Sequence, residues 1–500
     1  MIELTFYGGV RQIGGTKILL RSDGGSVFID FGKDFTLENA DFEEPFSPPF
    51  HIPSLLRVGA LPDMPGLYRM DPDRPVDGVI VSHAHLDHAG HVPLLSPHVP
   101  VYAGADTREL ILIRSEMGTR GWANDFSLTD WRTFTTGDVV EIRGTDIRFM
   151  PVHVDHSVPA AYAFIIEAGG KKIAYTGDLR MHGRHPRMTE DFLGALKVNS
   201  IDALICEGTH VAPEGADPEA DLVAHIDSVF RQRMGESAPA AINLPCSTEE
   251  DVQAQLSQVI RSAPGLVLVE VAPLDLDRVF SVWRAACDAG RILVLPSRLA
   301  YIVHEAKRRT AMENLPDIRG CALYLSQIKK RADIRRVEEP PDVEELIVGR
   351  RAWEQALAVR WVAGGGLIFG LPQGRRAIRE SGDRFVLCSP QVMKLLAELS
   401  YDGAVAAQPI AFILSKIGPF NPEMAISFNR LRQWLAMYGC DSYYHVHVSG
   451  HASAEDIARI IEVASPSRVI PVHTRYPDMF ERWHDRVLSQ VAIGQGILID

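Results

Sequence analysis

From its first residues the chain alternates: Ile2, Leu4 and Phe6 are separated by Glu3, Thr5 and Tyr7, a two-residue period that predicts a strand with one buried face. Short apolar runs at 25–30, 77–82, 99–102, 147–150 and 172–178 continue in the same style, divided by glycine and polar turns. Several end on a polar or metal-capable side chain, as at Asp30 and Asp178. Such a pattern predicts a sheet scaffold whose strand ends and loops carry the chemistry. Residues 34–76 are rich in proline, too broken for a long helix, and read as a loop insertion near the site.

From 209 to 419 the pattern changes. Stretches 222–233 and 249–262 have the spacing of amphipathic helices, whereas 265–270 and 291–295 are continuous apolar runs of buried strands, an α/β layer. After 420 the strand-to-histidine style of the first part returns at 443–451 and 468–473. With 500 residues, more than one hydrophobic core usually covers, the middle is expected to be a second domain inserted into the first. The expected organisation is 1–208 for the first part of the core, 209–419 for the insertion and 420–500 for the return.

Bulk properties narrow the class. The six cysteines are scattered singly, without a C-x-x-C pair, which argues against a zinc finger or a disulfide framework and for a reducing cytoplasm. The start lacks the basic and apolar regions of a secretory signal, and no apolar run reaches membrane-spanning length, so a soluble cytoplasmic protein is expected. A formal net charge of -13 disfavours coating nucleic acid through a basic surface. Local cationic clusters between about 300 and 380, such as Lys307-Arg308-Arg309 and Lys329-Lys330-Arg331, are interleaved with acids and read equally as solvated faces or as a groove.

The chemistry concentrates in Ser82-His83-Ala84-His85-Leu86-Asp87-His88. Three imidazoles and a carboxylate within six positions after an apolar strand suit zinc, with His83 and His85 serving one ion and Asp87 and His88 a second. This H-x-H-x-D-H string resembles the signature of the metallo-β-lactamase superfamily, and the resemblance implies an αββα sandwich. It also implies His156, in Val154-Asp155-His156-Ser157, as third ligand of the first metal, with neighbouring His153 as the alternative. Asp178 would bridge both ions, His473 would complete the second, and Asp30 would support the ligand loop. Two divalent ions, zinc or else manganese, would activate water for hydrolysis.

The inserted α/β region narrows the resemblance to the β-CASP branch, whose members process nucleic acids. By that likeness Glu207, at the end of Leu204-Ile205-Cys206-Glu207, orients or supports His451, which acts as general acid toward the leaving oxygen. A buried structural role is the other reading for either residue. The string His445-Val446-His447-Val448-Ser449-Gly450-His451, with Ile470-Pro471-Val472-His473, is similar to the ribonuclease J family, as are Gly8 to Gly15 and Ser415 to Asn421. That similarity implies a phosphate pocket from His447, Val448, Ser449, Gly450 and His451, in which Gly450 is otherwise a turn glycine. Three features depart from the family: Arg11 stands at a usually acidic position, Glu207 replaces its aspartate, and no glycine-glutamine-rich segment is recognisable at 386–391. The chain also ends soon after His473, without room for that family's additional C-terminal domain.

The implied function is metal-dependent hydrolysis of RNA, exonucleolytic or endonucleolytic, on a single-stranded substrate, with a homodimer as one assembly. The rivals are a DNA nuclease on the same scaffold, a hydrolase of small esters or lactones, and a silent RNA-binding subunit. The full ligand set argues against the last.

Overall fold

In the computed structural model the described residues are all but 43–48, 50, 71–72, 119–121, 217–238, 327–348, 370–371, 401–408 and 420–421. The expected helix at 222–233 and the cations at 329–331 and 335–336 lie outside them. The chain divides into two compact units, one of 1–215 with 450–500, the other of 216–449.

The first unit begins with β1 (Ile2–Gly8), β2 (Lys17–Ser22), β3 (Gly25–Ile29), β4 (Gly78–Val81), β5 (Pro100–Gly104) and β6 (Asp130–Phe134). Among the described residues the proline-rich stretch before β4 yields two short helices, α1 (Phe35–Asp41) and α2 (Ile52–Arg57); Asp34 caps the first by accepting from Leu37 N at 3.0 Å. Helix α3 (Leu86–Ala89) follows β4, and α4 (Ala105–Met117) follows β5. Next come β7 (Val140–Glu141), β8 (Arg148–Val154), β9 (Ala161–Ala168), β10 (Lys171–Tyr175), α5 (Pro186–Val198) and β11 (Ala203–Glu207).

The second unit is an α/β layer. Its strands are β12 (Ala240–Asn243), β13 (Val267–Val271), β14 (Ile292–Pro296), β15 (Cys321–Tyr324), β16 (Leu367–Phe369), β17 (Phe385–Ser389), β18 (Ala411–Ser415) and β19 (Ser442–His445). They run parallel in the order β12-β19-β18-β13-β17-β14-β15-β16. Central strands such as Val267–Val271 are buried at every residue, because a parallel sheet covered on both faces needs apolar side chains on both. The helix expected at 249–262 forms as α6 (Glu249–Ser262), opened by a Thr248–Asp251 capping box.

The return segment supplies the helix Ala454–Ala464 and the strands β20 (Arg468–Val472) and β21 (Gly496–Ile499). These complete two sheets of the first unit, β21-β1-β2-β3-β4-β5-β6 and β20-β11-β10-β9-β8-β7. The sheets face each other through rings: Phe134 of β6 lies 5.5 Å from Phe149 of β8 and 5.1 Å from Tyr162 of β9. Helix α4 lies against β5 and β6, while α5 and the helix Ala454–Ala464 cover the second sheet with Phe192, Leu196, Ile457 and Ile460. The result is the expected αββα sandwich. The expected return at 420 is corrected to 450, because Ser442–His445 joins the parallel ladder of the second unit between β12 and β18. Among the described residues no helix is long and apolar enough to cross a membrane.

Candidate metal centre

Strand β4 ends at Val81, and the chain leaves the sheet carrying His83, His85, Asp87 and His88 on a loop that winds into α3. Neighbouring strand ends strap this loop in place: Thr16 N donates to Asp87 O at 3.0 Å and Phe31 N to His88 O at 2.8 Å. The fit leaves no room at Gly32, where a Cβ would fall 1.6 Å from Asp87 O. Gly14, at φ +83, brings its backbone so near the Asp87 carboxylate that a Cβ would lie 2.9 Å from Oδ2.

Two groups of donor atoms form around this loop. His83, His85, His156 and Asp178 offer ligand atoms within 4.8 Å of one another, and Asp87, His88 and His473 do the same. Asp178 links them, because its Oδ2 lies 3.6 Å from His83 Nε2, 4.0 Å from His156 Nε2, 3.2 Å from His88 Nε2 and 3.7 Å from His473 Nε2. His473 Nε2 is also 3.2 Å from Asp87 Oδ2. His153 stays away from the group, on β8, with its ring stacked 5.0 Å from Tyr162.

The outer atoms of these rings are held as metal ligation requires. Asp30, fully buried just beyond β3, accepts from Ser82 N on Oδ1 at 2.7 Å; its Oδ2 takes Ser82 Oγ at 2.7 Å, Tyr175 OH at 2.6 Å and His88 Nδ1 at 2.7 Å. His156 Nδ1 donates to Gly450 O at 2.6 Å. A Cβ on Gly450 would sit 2.6 Å from Ser157 Oγ, so close approach needs glycine there. Asp30 and His473 have φ of +56° and +52°, a left-handed backbone that non-glycine residues keep where surrounding bonds over-determine it.

Burial lowers the pKa of His83 and His156 well below the usual range, and neighbouring imidazoles reinforce it, leaving the neutral rings that ligation needs. Burial also opposes charge on His88, but Asp178, Asp30 and Asp87 outweigh it and raise its pKa well above 6.5. Three carboxylates enclosed with so many imidazoles demand compensating positive charge. Asp178 Oδ1 is enclosed with no hydrogen-bond donor among the described residues. This nitrogen and oxygen donor set fits a divalent metal.

Beside the group lies a second pair. Glu207, fully buried at the end of β11, accepts from Leu179 N at 2.9 Å and faces His451 Nδ1 at 3.0 Å through Oε2. Burial works against a charged His451, yet the Glu207 carboxylate prevails and lifts its pKa to about 9.

Residues 53–225 match the beta-lactamase superfamily domain, and residues 440–482 match the Zn-dependent metallo-hydrolase RNA specificity domain. Curated relatives named ribonuclease J span nearly the whole chain. That of Pyrococcus abyssi is 23% identical over 99% of this chain and 96% of its own length. That of Mycolicibacterium smegmatis is 23% identical over 94% of this chain and 68% of its own. This is a ribonuclease J-like protein of the metallo-β-lactamase fold. A solved structure of a protein of unknown function from Enterococcus faecalis V583 shares the fold, with a TM-score of 0.67, 20% identity and 99% coverage of both chains.

In this ribonuclease J-like chain the metal-capable residues expected from the sequence come together in the first unit, with Asp30 behind them, as do Glu207 and His451. The residues expected to form the phosphate pocket are shared between the two units. Gly450 packs its carbonyl on His156, while His447, Val448 and Ser449 close the second unit. There the buried Arg278, paired with Glu249 at 2.8 and 2.9 Å, donates to His447 Nδ1 at 3.1 Å and to Val448 O at 3.3 Å. Arg278 gave no sign in the sequence, since it lies on a helix, α7 (Leu276–Asp288), far from every motif. Ser82, Tyr175 and Thr209 had no role in the sequence reading; each lies at a strand end or within two residues of one, close to a functional group, which is the only sequence signal they offer. Of the cationic cluster at 307–309, Arg308 and Arg309 share one buried carboxylate, Glu305, at 2.6 and 2.7 Å.

Proposed function

We propose that the chain is a metal-dependent ribonuclease that hydrolyses phosphodiester bonds of single-stranded RNA with two divalent ions, zinc in the first place and manganese as the alternative. The observation that carries the reading is the match to an RNA specificity domain over 440–482, since that segment holds both His451 and His473 and runs straight into the buried metal-capable group. His83, His85 and His156 would hold one ion, Asp87, His88 and His473 the other, and Asp178 both. Ions held there supply Lewis acidity, making water nucleophilic near neutral pH and offsetting charge on the attacked phosphate.

The remaining steps belong to side chains. Glu207 receives the Nδ1 proton of His451, so Nε2 is the nitrogen from which a proton passes to the departing oxygen. His447, Ser449 and the backbone N–H groups that follow would contact a substrate phosphate, with Arg278 fixing the His447 ring. Binding through phosphates should weaken as salt rises.

The test is hydrolysis of matched 5'-monophosphorylated RNA and DNA oligonucleotides by metal-analysed protein, with Asp87→Ala as control. RNA cleavage lost in the variant supports the proposal, and the product ladder gives the mode. Preference for DNA points to the other nuclease. If neither polymer is cut while metal is bound, a small-ester hydrolase becomes the better reading. His451→Ala should keep its metal while turnover falls about 10²–10⁴-fold, as loss of a general acid does.

A further inference from the structure

One hydroxyl joins the metal-capable group to the proton-carrying pair. Thr209 Oγ1 lies 2.9 Å from Glu207 Oε2, 2.8 Å from His473 Nδ1 and 3.1 Å from His451 Nδ1. A threonine hydroxyl has one hydrogen and can accept on its lone pairs. A carboxylate only accepts, and at 2.9 Å it is nearer than the other acceptor in reach, His473 O at 3.4 Å, so that hydrogen goes to Glu207 and Oγ1 is left to accept from the imidazoles. His451 already places its Nδ1–H on Glu207 at 3.0 Å. The shorter contact, from His473, therefore supplies the Nδ1–H that Oγ1 takes.

We propose that Thr209 is a positioning residue: it holds His473 in the tautomer with the proton on Nδ1, so that the Nε2 lone pair is directed at the position shared with Asp87 and Asp178, and it ties that ligand to the same carboxylate that orients His451. The backbone prepares both ends of this contact. Gly208 makes the turn out of β11 where a Cβ would come 2.6 Å from the Phe480 ring, and His473, at φ +52°, is tethered by its N–H to Gly9 O at 2.6 Å. His473 is thus restrained through its backbone and through its ring, and Thr209 is the restraint on Nδ1.

The inference rests on His473 being a ligand of the second ion in the function proposed above. Metal-stripped protein is titrated with Zn2+ against a chromophoric chelator, as wild type, Thr209→Val and Thr209→Ser. The valine removes the hydroxyl at nearly constant size; the serine keeps it. The expected result is two binding events in wild type, one of them weakened about 10–100-fold in Thr209→Val and recovered in Thr209→Ser, the range for losing such an orienting partner. Two unaltered events in Thr209→Val overturn the positioning role and leave the two-ion reading standing, whereas fewer than two in wild type sinks both. Should Thr209→Val not fold, long-range 1H–15N spectra of the Zn-loaded wild type decide the matter. A proton on His473 Nδ1 supports the assignment, and its absence there overturns it.

Discussion

Replacing Asp30 by asparagine tests whether this aspartate is the foundation of the metal-capable group. Its two oxygens accept four hydrogen bonds, three of them on Oδ2 from Ser82 Oγ, Tyr175 OH and His88 Nδ1, and none of its surface is exposed. An amide can present one oxygen. Turned so that oxygen replaces Oδ2, its NH2 meets the backbone N–H of Ser82; turned the other way, it meets three groups that donate in the wild type, and the two hydroxyls and the His88 ring would have to reverse roles. The gentler arrangement leaves two buried donor groups, the Ser82 N–H and the new NH2, without an acceptor, at about 1–3 kcal/mol each, and weakens three bonds that were charge-assisted. The expected loss is about 2–5 kcal/mol in urea unfolding of the metal-free protein. His88 also exchanges a charged acceptor for a neutral one on its Nδ1 proton, so metal affinity should fall about 10–100-fold. Unfolding of the metal-free variant is followed by tryptophan fluorescence, and its metal content by elemental analysis after dialysis. A variant with wild-type midpoint and full metal content would falsify the claim that these four bonds organise the ligand loop.

Other outcomes follow from equally local geometry. Burial is the main cause that brings the Lys17 pKa from 10.5 down to about 8, against the opposing pull of Asp34 and Glu38. Between those pH values the unfolded chain holds more protons here than the folded one, so this residue makes stability rise with pH by up to about 3 kcal/mol. Lys17→Met removes the term, and its denaturation midpoint relative to wild type should be most favourable below pH 8 and lose that advantage toward pH 10.5; a parallel pair of pH curves would count against it. Gly32→Ala drives a methyl into Asp87 O, so bound metal should drop sharply even if the protein remains folded by circular dichroism. His156→Ala should lose metal where His153→Ala retains it, since only the former ring points into the donor group; equal loss in both would reopen the choice. Arg278→Met leaves Glu249 charged and enclosed, at about 3–5 kcal/mol, and adding Glu249→Leu should recover part of that loss, as read by chemical denaturation.

Much of the first unit could be read from the chain because its signals are local. The two-residue alternation of Ile2–Gly8 and the apolar runs ending near Asp30, Ser82 and Asp178 mark strands by their side-chain period, and His83 to His88 pack four metal-capable groups into one loop. Such features need no knowledge of distant residues. The boundary at 450 was beyond reach for the opposite reason: Ser442–His445 reads like the strands of the first part, and only its pairing between β12 and β18 assigns it to the second unit. His153 and His156 differ in sequence by three positions, and it is the end of β8 at Val154 that turns one ring onto Tyr162 and the other toward Asp178. The chain by itself thus determined the strands and the metal-capable loop, since periodicity and spacing are properties of neighbours, and its resemblance to the metallo-β-lactamase superfamily implied the sandwich and the other metal-capable residues. Tertiary structure alone decided which atoms meet: Asp30 under His88, Gly450 behind His156, Thr209 between Glu207 and His473, and Arg278 against His447. Hydrogen bonds between residues far apart in sequence leave no periodic trace, and the fold must form before their donors and acceptors can be matched.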